Sequence, residues 1–188
     1  MNHFSFLFKD FFSLVASGTI DIYNEFSVQH ELGFYLRSSL PSIYSIQFER
    51  PTSFFGINRS AFLKKEIDIV IFSSNQSEKI AIELKYPRNG QYPEQMFKAC
   101  EDICFIEQLN AAGFSKGFFI MVADDSGFYA RKQKNDGIYQ FFRMSKPLHG
   151  TIRKPTGKKD QSFQINGNYP LTWNTVKNKI KYTMVTIG

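Results

Sequence analysis

The sequence has few of the features that disulfide-stabilised and membrane-spanning proteins require. Its only two cysteines, Cys100 and Cys104, are four positions apart, which suits one face of a helix. Because no CxxC pair or neighbouring histidine accompanies them, we predict a buried, reduced pair and exclude a zinc knuckle and a disulfide framework. No apolar run approaches the roughly 20 residues needed to cross a bilayer, so we predict no membrane span.

Acidic residues are scarce in the last third of the chain. Residues 126–188 contain 12 Lys and Arg against 2 Asp and Glu, whereas residues 1–125 contain 11 against 15. A basic region of this kind favours a polyanionic partner, and a merely solvated basic surface explains the same charge equally well. Charge alone leaves both interpretations open.

Apolar residues make up 43% of the 188 residues and aromatic residues 16%, which predicts a folded domain with a substantial core. The N-terminal stretch repeats apolar residues with helical spacing as far as Gly18, which we expect to end a first helix. Lys9 and Asp10 interrupt its apolar run and no basic segment precedes it. We therefore interpret it as the amphipathic helix of a cytoplasmic protein and not as a signal peptide. A second helix is expected from near Thr19 to Pro41.

The rest of the chain predicts a mixture of strands and helices. In chain order the expected elements are a strand (42–50), a loop (51–60), a hairpin (67–87), a helix that Pro93 opens and Gly113 ends, a strand (117–123), another strand (137–144), a basic loop (146–161) and a helix-like tail (174–181). This order indicates an α/β or α+β fold around a small mixed sheet. We expect one domain over residues 1–188, with an N-terminal helix (1–18), a core (20–125) and a basic C-terminal extension (126–188).

The predicted hairpin carries charges in strands that otherwise suit burial. Asp68 lies in the run EIDIVIF, and Glu83 and Lys85 lie in IELKYP. Side chains alternate across a strand, so Glu83 and Lys85 share a face. If the turn is centred on Asn75 and Gln76, Asp68 pairs with Glu83, and directly opposed Cβ atoms lie about 5 Å apart. Two carboxylates this close repel each other, and a divalent cation, which prefers hard oxygen ligands, would relieve the repulsion.

Other interpretations of the hairpin stay open. An E-x-K triplet is frequent in unrelated proteins, and a structural salt bridge of Lys85 with Glu66 or Glu83 accounts for part of the pattern. The turn is not the strongly predictive Asn-Gly type, and a shift of register by one residue would send Asp68 to the opposite face. The triplet, the upstream aspartate and the strand context together favour a metal site.

In combination these residues resemble the PD-(D/E)XK nuclease superfamily, which includes many restriction endonucleases and DNA-repair nucleases. The core of that family is a helix that supplies a glutamate, a strand, a hairpin bearing Asp and Glu-x-Lys, a helix and a further strand. The matching positions here, within residues 20–125, are Glu31 in QHELGFYLRSSL, Asp68 in EIDIVIF, and Glu83 with Lys85 in IELKYP.

Two positions depart from the family pattern or leave a choice. Ile67 stands where the family name places a proline, a residue that is commonly missing across the superfamily. Glu25 is an alternative to Glu31 as the helix glutamate. We prefer Glu31 because it is closer to the end of the helix that leads to the sheet.

The resemblance implies an α/β fold with a restriction-endonuclease-like core, in which helices flank a central mixed sheet in the order αβββαβ. It also implies a Mg²⁺-dependent endonuclease that hydrolyses phosphodiester bonds of DNA in restriction, repair or defence. Asp68, Glu83 and the backbone carbonyl of Leu84 would hold Mg²⁺, for which Mn²⁺ can substitute, and Glu31 would bind it directly or through water. Lys85 would orient or deprotonate the attacking water or stabilise charge on the phosphate.

The expected partner is nucleic acid, in particular DNA, and cutting both strands would suit a homodimer. Gln95 and Lys98 of the third helix lie toward the same edge and would be in reach of the substrate backbone, but a solvated helix face is the favoured explanation of both. Four aromatic residues lie near the basic segments: Tyr139, Phe141, Phe142 and Trp173. If exposed, they would stack on unpaired bases, whereas aromatic residues in such strands usually belong to the core.

Two alternative functions remain. One is a catalytically inactive, nuclease-like module that binds nucleic acid or a protein partner. The other is a protein in which the hairpin charges form only a structural ion-pair cluster.

Overall fold

A computed structural model describes residues 3–58, 62–157 and 160–188 of the chain. The helices are α1 (His3–Ser17), α2 (Glu25–Ser39), α3 (Tyr92–Ala111) and α4 (Tyr139–Arg143). The strands are β1 (Tyr44–Pro51), β2 (Glu66–Ser73), β3 (Lys79–Lys85), β4 (Lys116–Ala123), β5 (Leu148–Arg153), β6 (Ser162–Tyr169), β7 (Asn174–Lys177) and β8 (Ile180–Ile187). Thr52–Phe55 forms a 3₁₀ turn.

The fold is α/β, with a mixed central sheet between helices. In the described part of the chain, six strands form this sheet in the order β1-β2-β3-β4-β8-β7, and β5 pairs with β6 separately. β3 and β4 are parallel and are connected through α3, whereas the other neighbours in the central sheet are antiparallel. Helices α1 and α2 cover one face of the sheet, and α3 covers the other. From α2 to β4 the chain order is α2, β1, β2, β3, α3, β4.

The predicted ends of the first and third helices are confirmed. Gly18 follows α1 with φ +82°, and Gly113 follows α3 with φ +95°, a left-handed conformation that glycine adopts without strain. Pro93 lies in the first turn of α3, where its missing N–H costs no helical hydrogen bond.

Helix α2 begins at Glu25 and not near Thr19 as predicted. Asn24 caps its N-terminus: Asn24 Oδ1 accepts a hydrogen bond from the Ser27 N–H at 2.8 Å, and Ser27 Oγ accepts one from the Asn24 N–H at 3.0 Å. This reciprocal capping satisfies two amides that a helix start leaves unpaired, which fixes the boundary there.

Two glycines allow the helices to pack closely on the sheet. A Cβ on Gly33 of α2 would collide with the ring of Phe48 in β1, and a Cβ on Gly117 of β4 would collide with Ile106 of α3. The close approach brings α2 and α3 against opposite sides of the β2–β3 hairpin, so both can contribute side chains to its end.

Three predictions for the C-terminal region are wrong. The predicted strand at 137–144 contains helix α4, the predicted basic loop at 146–161 contains β5, and the helix-like tail forms the β7–β8 hairpin, which turns at Asn178 with φ +50°. Strands β7 and β8, at the end of the region 126–188, belong to the central sheet, where Lys181–Ile187 of β8 pairs with β4. Strands β5 and β6 of the same region form a separate pair. The positions 1–2, 59–60 and 158–159 of the predicted elements lie outside the described residues.

The prediction of a buried, reduced cysteine pair is confirmed. Both Cys100 and Cys104 are free and buried, and Cys104 Sγ donates to the carbonyl oxygen of Gln164 at 3.3 Å. Burial raises the pKa of Cys100 well above its usual range and that of Cys104 to about 11. Within the described residues, no helix is both long enough and apolar enough to span a bilayer.

Candidate functional site

The β2–β3 hairpin has the predicted register and brings Asp68 and Glu83 together. Ile69 pairs with Ile82, and continuing this register places Asp68 opposite Glu83. The Asp68 N–H donates to Glu83 Oε1 at 3.2 Å, and the Leu84 N–H donates to Asp68 Oδ2 at 2.7 Å. The Asp68 side chain is 18% exposed and that of Glu83 is 0% exposed. Two carboxylates are thus held together in a largely dry setting.

Lys64, which the sequence did not single out, lies between these carboxylates. Its Nζ forms an ion pair and hydrogen bond with Glu83 Oε2, and it is 2.9 Å from Asp102 Oδ1 and 3.8 Å from Asp68 Oδ1. Burial opposes the charge on Lys64, but the surrounding carboxylates, Glu83 foremost, outweigh it and raise the pKa of the ammonium group. The Lys64 ammonium therefore relieves the repulsion that we expected a metal ion to relieve.

Lys85 lies on the face of β3 that α3 covers. Its Nζ is 3.3 Å from Asp102 Oδ2 and 3.6 Å from Glu25 Oε1, and its side chain is 14% exposed. Burial lowers the pKa of Lys85, but the charge of Asp102 and then that of Glu25 outweigh burial and raise it. The alternative prediction of a structural salt bridge placed Lys85 beside Glu66 or Glu83. In the structure, Lys85 instead forms its ion pairs with Asp102 and Glu25.

The helix glutamate at the site is Glu25, and the preference for Glu31 is corrected. Glu25 Oε2 accepts a hydrogen bond from the Tyr86 N–H at 2.8 Å, next to its ion pair with Lys85. Glu31 is 40% exposed, and its only recorded ion pair among the described residues is with His30 at 3.8 Å. Six residues of α-helix turn the side-chain direction by about two-thirds of a circle, so the two glutamates of α2 cannot face the same site.

A cleft between α2 and the hairpin opens beside Asp68. Gln29 Nε2 donates to Glu49 Oε1 at 2.6 Å and to the carbonyl oxygen of Asp68 at 2.8 Å, which ties α2 to β1 and β2. The cleft has a volume of about 280 Å³ and is lined by Glu25, Phe26, Gln29, Glu49, Asp68 and Leu84. The site is thus open on this side to a small ligand or to part of a larger one.

A second cleft of about 390 Å³ lies on the Lys85 side, and Gln95 and Lys98 of α3 border it as the sequence suggested. Its lining residues are Asn24, Glu25, Phe26, Lys85, Tyr86, Pro87, Arg88, Gln95 and Lys98. Lys98 is exposed, and Gln95 Nε2 donates to Asn89 Oδ1 at 3.3 Å. Both residues could contact a ligand here, and within the described part of the chain neither forms an ion pair or hydrogen bond with Asp68 or Glu83.

The cluster is short of positive charge. The ion pairs join four carboxylates with two ammonium groups, a formal balance of −2 when all are ionised: Glu25, Asp68, Glu83 and Asp102 with Lys64 and Lys85. Burial raises the pKa of Asp68 to about 6 although Lys64 opposes the rise. Burial and then the charge of Asp68 raise the pKa of Glu83 well above its usual range. Both shifts show that the ionised acids are incompletely compensated.

A metal ion would find two side-chain ligands here and not three. Among residues 3–58, 62–157 and 160–188, no group of three or more His, Cys, Asp or Glu side chains is arranged to hold a metal ion. Asp68 and Glu83 supply two carboxylates, and the third predicted ligand, the backbone carbonyl of Leu84, is not a side chain. The Lys64 ammonium would have to leave the space between the acids.

The four aromatic residues that the sequence singled out in the C-terminal region pack against the core. Phe141 and Phe142 are buried, and Tyr139 and Trp173 are partly buried against the same core. Trp173 Nε1 donates to the carbonyl oxygen of Phe142 at 2.9 Å. The core explanation therefore accounts for all four.

Lys64 and Asp102 are the two site residues that the sequence reasoning missed. Lys64 precedes β2 in an irregular segment, where no periodicity predicts the direction of a side chain. Asp102 did carry a signal, because it shares a helix side, at spacings of three, four and seven residues, with the buried Ala99, Ile106 and Leu109. An acid on an apolar helix side predicts a buried partner.

Comparisons with known proteins identify no relative. No protein-family model matches the chain, and neither the curated proteins nor the solved structures show a significant match. The function is therefore inferred from the residues of the site.

Proposed function

We propose that this protein is a Mg²⁺-dependent nuclease that hydrolyses phosphodiester bonds of DNA, with the restriction-endonuclease-like arrangement that its sequence resembles. The observation that carries the proposal is the convergence of Asp68, Glu83 and Lys85 at one end of the β2–β3 hairpin, with Glu25 of α2 beside them. An aspartate, a glutamate and a lysine with a helix glutamate are the charged groups that the resemblance requires.

The residues fit a divalent cation once the Lys64 ammonium withdraws. Asp68 and Glu83 offer the hard oxygen ligands that Mg²⁺ prefers. Without Lys64, the four carboxylates and Lys85 carry a formal charge of −3, which one divalent cation reduces to −1. The Lys64 side chain is 29% exposed and has a flexible stem, so its ammonium has a route to solvent. Mn²⁺ should bind to the same oxygens.

Each side chain then has a defined task. When bound, Mg²⁺ would polarise the scissile phosphate and lower the pKa of a bound water. Asp68 and Glu83 would hold the ion, and Lys85, fixed by Asp102 and Glu25, would stabilise negative charge developing on the phosphate.

The test is cleavage of labelled single-stranded and duplex DNA in Mg²⁺, in Mn²⁺ and in EDTA. We expect metal-dependent cleavage by the parent and a loss of about 100-fold or more in Asp68→Asn and Lys85→Met, because each removes a group that acts on the reacting phosphate. Lys79→Met, at the other end of β3, is the matched control and should cleave normally. Undiminished cleavage by the site variants, or none by the parent with either metal, would refute the proposal.

A static ion-pair cluster is the second candidate, and the contacts of Lys64 favour it. A lysine that pairs permanently with Glu83 and Asp102 would leave no space for a metal. In that case neither Mg²⁺ nor Mn²⁺ should change the melting temperature, and any binding of DNA through the basic region should fall steeply with salt without cleavage.

A further inference from the structure

Helix α2 carries an exposed row of aromatic side chains, the α2 aromatic strip, formed by Phe26, His30 and Phe34. These residues are spaced four apart and so lie on one side of the helix. Phe26 and Phe34 are 67% and 51% exposed, and the side chain of His30 is 50% exposed. The ring centroids of Phe26 and His30 are 6.0 Å apart, and those of His30 and Phe34 are 4.6 Å apart. The buried stripe of α2 lies on the other side: Val28, Leu32 and Leu36.

The strip is continuous with the candidate active site. Phe26 lines both clefts, the one that contains Asp68 and the one that contains Lys85, Arg88 and Lys98. A strand with a phosphate beside Asp68 and Lys85 would therefore have its neighbouring nucleotides next to Phe26. Lys98 of the second cleft is exposed and suits the phosphates of that strand, whereas Lys85 and Arg88 already pair with carboxylates.

The chemistry of the strip suits nucleobases better than an apolar partner. His30 is polar, lies between the two phenylalanines and pairs with Glu31 at 3.8 Å, so an apolar surface that covered the strip would have to desolvate both groups. Flat bases can stack on the rings and leave the polar edges in water. Of the two glutamates that flank the strip on α2, Glu25 is paired with Lys85, and Glu31 lies 3.8 Å from His30 Nδ1, which is an ion pair only when the imidazole is protonated.

We propose that the α2 aromatic strip binds unpaired bases, which makes a single-stranded or locally unwound polynucleotide the substrate class. This inference rests on the proposed nuclease function. Unpaired bases offer their faces to aromatic rings, whereas the bases of an intact duplex are already stacked on each other. Stacking contributes about 1–3 kcal/mol per base, so two rings account for a marked preference.

The experiment measures binding without cleavage. A labelled 12-nucleotide deoxythymidine strand and a duplex of equal length are titrated in EDTA with the parent, Phe26→Ala/Phe34→Ala and Phe26→Leu/Phe34→Leu. We expect the parent to prefer the single strand and both double variants to bind it at least about 10-fold more weakly, because leucine keeps apolar area but removes the stacking face. Phe6→Ala on α1, where Phe6 is 62% exposed, is the control for losing an exposed phenylalanine and should bind like the parent.

The outcomes separate this inference from the nuclease proposal. Unchanged single-strand binding by the double variants, or loss with alanine but not with leucine, overturns stacking even if the parent cleaves DNA. Light scattering provides a further test. If the parent is dimeric and the double variants are monomeric but bind DNA as the parent does, the strip binds a second copy of the chain and not unpaired bases. If the parent never cleaves DNA but binds the single strand more tightly than the double variants do, base binding by the α2 aromatic strip is supported and the nuclease proposal is refuted.

Discussion

Replacing Lys64 by methionine tests whether this lysine and a divalent cation compete for the same carboxylates. Methionine keeps much of the side-chain volume and removes the ammonium that contacts Glu83, Asp102 and Asp68. In EDTA the variant leaves the fully buried Glu83 without its principal cation, and breaking a buried ion pair from one side costs about 3–5 kcal/mol. Because the Lys64 side chain is 29% exposed, we expect the lower end, about 3 kcal/mol.

That cost predicts a measurable melting difference. For a chain of this length, 1 kcal/mol corresponds to about 2–4 °C, so Lys64→Met should melt about 6–12 °C below the parent in EDTA. Mn²⁺ at 100 times its dissociation constant adds about 2.7 kcal/mol to the folded state. Mn²⁺ should therefore restore most of the loss in the variant, and it should stabilise the parent less because it must first displace the ammonium.

Melting followed by circular dichroism, with Mn²⁺ titrated into parent and variant, is the assay. Lys65→Met is the matched control, since Lys65 is the exposed neighbour and has no ion pair recorded in the described structure. Equal stabilisation of parent and Lys64→Met by Mn²⁺ would refute the competition. A variant that melts lower and gains nothing from Mn²⁺ would support the static ion-pair cluster.

Three other predictions concern the helix glutamate, the buried acid and the thiols. Glu25→Gln should slow DNA cleavage about 10-fold or more, because Glu25 positions Lys85. Glu31→Gln should cleave DNA at the parent rate. Equal cleavage rates for the two variants would contradict the choice of Glu25. In EDTA, the unfolding free energy of the parent should fall by about 3 kcal/mol relative to Asp68→Asn between pH 4 and pH 7, as measured by urea unfolding. Burial raises the pKa of Asp68 to about 6, so the protonated Asp68 carboxyl contributes its full stability to the folded state below about pH 4, and this contribution is lost as the pH rises through 6. If the unfolding free energies of the parent and of Asp68→Asn changed with pH in parallel, the raised pKa would be contradicted. The two cysteines should react with iodoacetamide at pH 8 about 100-fold more slowly in the folded protein than in guanidinium chloride, because burial raises their pKa; similar rates would show that the pair is not buried.

The hairpin was predictable because its geometry is local. A short polar turn and two alternating strands determine the pairing, and once Ile69 pairs with Ile82 the approach of Asp68 to Glu83 follows. Glu31 was preferred because it is nearer the end of α2 that leads to β1, whereas the start of the helix is what lies beside the hairpin end. The capping residue Asn24 makes Glu25 the first residue of the helix, beside the hairpin end.

The elements that were mispredicted depend on contacts between distant parts of the chain. Residues 174–181 have helix-like composition, yet β8 pairs with β4, which precedes it by more than 50 residues, and that pairing outweighs local preference. Lys64 reaches the site for a comparable reason. Its direction is set by Asp102, which is 38 residues away, and no local pattern encodes such a contact.

Anomalous diffraction from a crystal soaked in Mn²⁺ would show directly whether the two carboxylates hold a metal ion. We expect a manganese peak between the carboxylates of Asp68 and Glu83, with the Lys64 ammonium moved toward solvent. A crystal with no peak there, in which Lys64 still bridges Glu83 and Asp102, would contradict a metal-dependent active site.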